Sequence, residues 1–244
     1  VPAPLLYVSA RPQRDAADAE YASFLSGMRV GPESLARHDL VREALPADAF
    51  ERYSGFVVGG SPFNVTDPAS SKSEAQLRLE SDLEKIAAAA ADSRTAALFT
   101  CYGIGVVTRL LGGEVTREHP EPTGATTIEL TADGRADALL GDLALRFAAL
   151  TAHKEGAAAV PPGAVLLATN DGCPVQAYRV GERLYATQFH PESTPRAFTE
   201  RMAVYRDGGY FPAKDYDVIA ARVLRASVTE PPRLLEAFAE RFAA

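Results

Sequence analysis

Cys101 stands between a short apolar run, Ala96-Ala97-Leu98-Phe99, and a helical stretch, Val106-Val107-Thr108-Arg109-Leu110-Leu111, with Gly103 two residues after it. A side chain at a sharp strand-to-helix turn is held up above a sheet, and a nearby glycine lets the backbone approach where a Cβ would collide. The start of the following helix supplies partial positive charge and unpaired N–H groups, which favour a thiolate and stabilise an oxyanion. Such a thiol is suited to attack on an acyl carbon. That attack needs a base, and Thr187-Gln188-Phe189-His190-Pro191-Glu192-Ser193 closes another predicted strand. His190 and Glu192 are two apart, so an extended segment projects them to one side, with Pro191 stiffening the link. A carboxylate beside an imidazole fixes its tautomer and raises its basicity. By residue type alone Cys101 would be a buried structural thiol, and an isolated His-x-Glu a solvated pair. Their shared position at strand ends argues for chemistry.

The elements that must place these residues are legible as patterns. Leu5–Val8, Gly55–Val58 and Ala96–Phe99 are short apolar runs that read as buried strands, with helices expected over Ala16–Leu25 and Glu74–Ala91. Strand, long helix, strand is the pattern of a parallel sheet. The helix after Cys101 is expected to end at Gly112-Gly113. Further on, Thr126–Leu130, Val165–Ala168, Val175–Val180 and Leu184–Phe189 read as antiparallel hairpin strands, with turns at Ala132-Asp133-Gly134 and Gly181-Glu182. Helices follow around Ala197–Tyr205, Asp217–Ala226 and Pro232–Phe242.

Taken together the motifs resemble class I, triad-type glutamine amidotransferases, in particular the stand-alone GMP-synthase-like amidotransferase domains. Gln188-Phe189-His190-Pro191-Glu192 is similar to their histidine and glutamate box. Cys101 with Gly103 and Leu110-Leu111-Gly112-Gly113 resembles the nucleophile region, and Val58-Gly59-Gly60-Ser61-Pro62 the oxyanion loop. Ala152-His153-Lys154 and Pro161-Pro162-Gly163-Ala164 fall in the same order. The resemblance implies a flavodoxin-like α/β three-layer sandwich with a mostly parallel central sheet, appended antiparallel strands and a helical tail. It spans one domain over 1–244, with 195–244 as a C-terminal extension. It further implies hydrolysis of a glutamine side-chain amide through a glutamyl thioester, with Cys101 as nucleophile, His190 as base and Glu192 as its orienter. Gly59, Gly60 and Tyr102 would supply the oxyanion hole, and Gly103, Gly105, Ala152 and His153 the substrate contacts. No metal or organic cofactor is required for that half-reaction.

The chain departs from the family pattern Gly-x-Cys-x-Gly-His-Gln at three places: Phe99, Ile104 and Gly105 stand where Gly, His and Gln are usual. The last position helps to hold glutamine, so a weakened grip on free glutamine is expected. A cysteine hydrolase of the same fold acting on another amide or γ-glutamyl substrate is therefore an alternative, as is a non-catalytic regulatory homologue. Retention of Cys101, His190 and Glu192 together counts against the regulatory reading, and Tyr102 in place of a histidine after the nucleophile argues against the PfpI-like branch.

Composition narrows the field. Of 244 residues, 47% are apolar and 23% charged, which excludes a disordered or fibrous chain. A net charge of −7 disfavours nucleic acid and anionic membrane surfaces as partners, leaving a small-molecule substrate. Cys101 and Cys173 are the two cysteines; Cys173, at a turn without a neighbouring base, reads as structural or exposed. With no basic, apolar leader over Val1–Val8, a reducing cytoplasmic setting is expected. His153 fits either a site rim or a surface or packing role; His38 and His119 read as loop or helix-surface residues. No His/Cys spacing suggests zinc, and the pairs Asp215/Asp217 and Glu236/Glu240 read as solvated helix faces.

Overall fold

The computed structural model describes residues 3–243; Val1, Pro2 and Ala244, and with them the ends of the expected leaderless single domain, lie outside the described residues. The first half builds a parallel block. Strands β1 (Leu5–Ser9), β2 (Leu35–Asp39), β3 (Gly55–Val58) and β4 (Ala96–Thr100) alternate with helices α1 (Arg14–Met28), α2 (Ala49–Arg52) and α3 (Glu74–Ala91). Helix α4 (Tyr102–Leu110) follows β4 directly. The second half contributes β5 (Val115–Thr116), β6 (Glu121–Leu130), α5 (Ala132–Arg135), β7 (Arg146–His153), β8 (Gly156–Ala157), β9 (Ala164–Thr169), β10 (Ala177–Val180) and β11 (Leu184–Thr187). Helices α6 (Pro195–Val204), α7 (Tyr216–Leu224) and α8 (Pro231–Phe242) complete the chain.

Nine strands form one sheet in the order β2-β1-β3-β4-β11-β10-β9-β6-β7, while β5 and β8 pair separately. From β2 to β11 every pairing is parallel, and from β11 to β7 every pairing is antiparallel. Residue alternation in β1 shows why both faces are covered. Leu5 and Tyr7 pack with Phe24 and Met28 of α1 and Leu234 and Phe238 of α8, whereas Leu6 and Val8 face Leu79, Leu83 and Ile86 of α3 and Val107 of α4. The result is the expected flavodoxin-like α/β sandwich. A third cluster joins α6 and α7 to β7 through Phe198, Met202, Val223 and Leu150, so the tail helices lie over the antiparallel end of the sheet.

Helix α4 stops as anticipated. Gly112 takes φ 78°, its N–H bonds the Arg109 carbonyl and the Gly113 N–H bonds that of Thr108, which is a Schellman ending. Two expectations are corrected. Ala132-Asp133-Gly134 is not a hairpin turn but the start of α5: Thr131 Oγ1 accepts the Gly134 N–H at 3.0 Å, capping it. A Cβ on Gly134 would fall 2.0 Å from the Leu167 carbonyl oxygen, so the glycine serves close packing. His38 lies on edge strand β2, its Nε2 3.0 Å from the Ala44 carbonyl oxygen, rather than in a loop or on a helix. Of the two readings of Cys173, the structure has the buried one.

Candidate active site

The backbone at Cys101 is bent sharply. Its φ of 51° and ψ of −102° are unusual for a residue with a Cβ, a strain of about 1–3 kcal/mol that surrounding contacts must hold. On one side the Cys101 N–H donates to the Thr187 carbonyl of β11 at 2.8 Å; on the other Thr100 Oγ1 donates to the Val58 carbonyl of β3 at 2.9 Å. Tyr102 opens α4, and its hydroxyl donates to Glu80 Oε1 at 2.8 Å. Lys72, Arg109 and Gln76 donate to the same buried carboxylate, which ties the first turn of α4 to α3.

His190 follows β11. Its N–H donates to the Leu150 carbonyl of β7 at 3.0 Å, and its Nδ1 lies 3.0 Å from Glu192 Oε1, leaving Nε2 as the nitrogen available for chemistry. His190 is 4% and Glu192 2% exposed. Burial alone would lower the imidazole pKa, but the charges of Glu192 and Cys101 outweigh it and raise the pKa to about 9. Burial would raise that of Glu192, yet His190 and Arg201 hold it well below the usual carboxylate range.

Three residues of this centre were not anticipated. Arg201 of α6 donates to Glu192 Oε1 from Nη1 at 3.0 Å and Nη2 at 2.9 Å, and to Glu20 Oε1 from Nη1 at 2.9 Å. Glu20, on α1, also accepts from Arg11 Nη2 at 2.7 Å and from Tyr7 Oη at 2.8 Å. Arg11, Glu20, Arg201, Glu192 and His190 thus form a buried row of alternating sign. One local signal was available: Glu20 lies four residues from both Ala16 and Phe24, an acid on the buried face of α1.

The Gly59-Gly60 loop lies against this row. A Cβ on Gly60 would fall 2.9 Å from His190 Cε1 and 3.6 Å from Cys101 Cβ, so only glycine brings the loop this close to both side chains. The Gly60 N–H donates to Glu20 Oε1 at 3.2 Å, and the Gly59 N–H to the Val8 carbonyl at 3.1 Å. Neither N–H is free for a substrate oxygen in this arrangement. The Tyr102 N–H, at the first helical position, has no intrahelical partner.

Two clefts adjoin at Cys101, which lines both together with Ser61, Ala152 and Tyr210. One is bordered by His190 and by Phe198, Met202, Tyr205 and Phe211 of the tail. The other is bordered by Gly105, His153, Lys154, Glu155 and Gln188. His153 is buried there, its Nε2 2.8 Å from Glu121 Oε2 and its Nδ1 3.0 Å from the Glu155 carbonyl oxygen, so it is not a surface histidine. Gly105, Ala152 and His153 therefore share one cleft. Gly103 lines neither, because its missing Cβ makes room for the Phe99 ring, whose Cδ1 would be 2.9 Å away. Phe99 packs inward and does not narrow the site. Cys173 borders neither cleft, and burial pushes its thiol pKa up to about 11.

Residues 36–204 match the family model of class-I glutamine amidotransferase. The chain belongs to that family. It is 26% identical over 149 residues to gamma-glutamyl peptidase 3 of Arabidopsis thaliana, covering 58% of this chain and 55% of the relative. It is 32% identical over 154 residues to a glutamine-hydrolyzing GMP synthase of Aeropyrum pernix, covering 63% of this chain and 26% of the relative. The chain thus spans about half or less of the length of these relatives. Among solved structures, a glutamine amidotransferase from Thermotoga maritima superposes with a TM-score of 0.76 at 17% identity, over 99% of this chain and 98% of that one, a likeness of fold.

Within this amidotransferase fold, Glu20, His190 and Glu192 bring potential ligand atoms within 4.8 Å of one another. Both carboxylates already face guanidinium groups, Arg11 and Arg201 on Glu20 and Arg201 on Glu192, so a divalent cation would meet positive neighbours. No helix among the described residues is long and apolar enough to cross a membrane.

Proposed function

We propose that this class-I amidotransferase homologue hydrolyses the side-chain amide of glutamine or of a γ-glutamyl compound through a thioester on Cys101. The observation that carries the reading is a cysteine held at a strained strand-to-helix turn beside a cleft shared with His190, whose Nδ1 is bound by buried Glu192. His190 already holds the proton on Nε2 as Cys101 attacks as the thiolate, and gives it to the departing nitrogen when the C–N bond breaks. Water, deprotonated by the same nitrogen, then adds to the thioester carbon and releases the acid and the thiol. The Tyr102 N–H meets the oxyanion, and the Gly60 N–H joins it by exchanging Glu20 for the substrate oxygen. Gly59 contributes close approach: a Cβ there would sit 2.1 Å from Glu20 Oε2.

Gly105 offers no side-chain amide to the glutamyl head that glutamine and γ-glutamyl compounds share, and Val65 Cγ2 would be 3.1 Å from a Cβ there, so the grip on that head is weakened for both. The hydrolytic half needs a small-molecule substrate and no second polypeptide; a synthetase or other ammonia acceptor would be an additional partner. Two unbridged cysteines suit a reducing, cytoplasmic setting.

The test is covalent. The glutamine-mimicking electrophile 6-diazo-5-oxo-L-norleucine should add once, at Cys101, as read by peptide mass spectrometry. Cys101→Ala should fold normally and lose both the adduct and all hydrolysis. Modification of Cys173 instead, or turnover surviving Cys101→Ala, would overturn the proposal.

A further inference from the structure

The two clefts that meet at Cys101 differ in chemistry, and His190 borders only one of them. Resting on the thioester mechanism above, we infer that the His190 cleft receives the leaving amine, and that the substrate is a γ-glutamyl amide whose amine carries an apolar, ring-sized group. When Sγ bonds to the amide carbon and the C–N bond breaks, its electron pair leaves on nitrogen, which must take a proton from His190 Nε2. The departing nitrogen therefore lies on the His190 side. Ammonia needs no wall of aromatic and apolar side chains beyond that imidazole.

Apart from Ser61 and Thr123, the rest of the lining is mainly aromatic and apolar. Phe198 and Met202 of α6, and Tyr205 and Phe211 in and beside the segment joining α6 to α7, form a wall over the site. The two cations that also border it are committed. Arg11 bonds Glu20 through Nε and Nη2 and Tyr205 Oη through Nη1, and Arg201 bonds Glu20, Glu192 and Ser193. An amino-acid leaving group would bring a carboxylate that finds no unpaired cation here. An apolar amine asks for none and gains from leaving water.

The polar half of the substrate has the other cleft, bordered by His153, Lys154 and Glu155. Gln188 also borders it, buried, with no hydrogen-bond partner for its Oε1 among the described residues. A glutamyl head carries the ammonium and carboxylate that such a lining can match. The balanced reaction is γ-glutamyl-NH-R plus water giving glutamate and R-NH₂, with the thiol and imidazole restored.

The experiment compares L-glutamine, γ-L-glutamyl-methylamide, γ-L-glutamyl-benzylamide and γ-L-glutamyl-glycine on the wild-type chain, reading kcat/KM for each. Methylamine and benzylamine are both alkyl amines, so the comparison isolates the apolar group. Benzylamide should exceed methylamide and glycine by roughly tenfold or more. Phe211→Ala should remove most of that advantage, read as the ratio of benzylamide to methylamide kcat/KM, and Phe211→Leu should restore part of it. Equal rates for benzylamide and methylamide, or preference for the glycine conjugate, would overturn the inference. If the electrophile still labels Cys101 in that case, the mechanism stands and only the substrate class falls. Absence of both labelling and turnover would remove the mechanism and this inference together.

Discussion

Arg201 places both terminal nitrogens on Glu192 Oε1, the same oxygen that holds His190 Nδ1. Glu192 is thus fixed from a tail helix, and the same guanidinium reaches Glu20 on α1. Arg201→Met should leave two buried carboxylates short of a cation. Removing one partner of a buried pair typically costs about 3–5 kcal/mol, which denaturant titration would read as a lower midpoint. Glu20→Gln in the same background should cost less than it does alone. Strictly additive losses would separate the two residues energetically.

The His190 pKa gives a pH dependence of known sign. A group raised from 6.5 to about 9 on folding stabilises fully below the unfolded value, and that contribution is lost as pH rises through 9. The difference is worth on the order of 3 kcal/mol. Stability of the wild type should therefore decline from near neutrality to pH 9 more steeply than that of His190→Gln, as measured by urea unfolding at several pH values. Glu192 acts with the opposite sign: its carboxylate is held below the usual range, so its contribution is present above the unfolded carboxylate pKa and disappears as pH falls through the folded one. Parallel pH profiles for wild type and His190→Gln would show the imidazole to be unperturbed by its neighbours.

How much of this was visible in the sequence follows from distance along the chain. Cys101 with Gly103, and His190 with Glu192, are local patterns, and the apolar runs of β1, β3 and β4 are buried strands as expected. Strand β2 was not visible because, as an edge strand, it buries one of five residues. Strand β7 mixes alanines and threonine with only scattered large apolar residues, yet it carries the Leu150 carbonyl that seats His190. Arg201 and Glu20 are 181 residues apart, and no sequence pattern announces that two such charges share one buried hydrogen bond. Gly103, two residues after Cys101 and expected to contact substrate, borders neither cleft, and the Phe99 ring packs where its Cβ would stand.

The loop glycines predict different failures. In Gly60→Ala the new methyl would meet both His190 Cε1, at 2.9 Å, and Arg11 Nη2, at 2.8 Å, so it should displace the base. Activity should fall by roughly a hundredfold or more, in keeping with the loss of oxyanion or base geometry, with a stability cost of about 1–3 kcal/mol. Gly59→Ala meets Glu20 rather than the base, so its first effect should be on thermal stability. Kinetics and thermal melts on the two variants distinguish these outcomes, and a Gly60→Ala enzyme of normal rate would move the oxyanion site elsewhere.

Gly105 decides how the chain treats free glutamine. A Gln introduced there would lie in α4, where it is the better helix former, but its Cβ meets Val65 Cγ2 at 3.1 Å, tighter than ordinary contact. The single variant Gly105→Gln should therefore lose up to about 1–3 kcal/mol through overpacking and gain little activity. Val65→Ala removes the obstructing methyl groups, and partly buried Phe63 and Val115, packed against the same core cluster, can close around the new side chain. The double variant should recover stability and gain kcat/KM for glutamine by roughly tenfold, chiefly through KM, because one restored hydrogen bond to a buried polar ligand is worth about 1–3 kcal/mol. The benzylamide should improve by a similar factor, since both substrates share the glutamyl head, while an amide lacking that head should be unchanged. Steady-state kinetics on the three enzymes reads all of these outcomes. An efficient wild-type glutaminase that the double variant fails to improve would mean that the cleft beside His153 already grips glutamine through other groups.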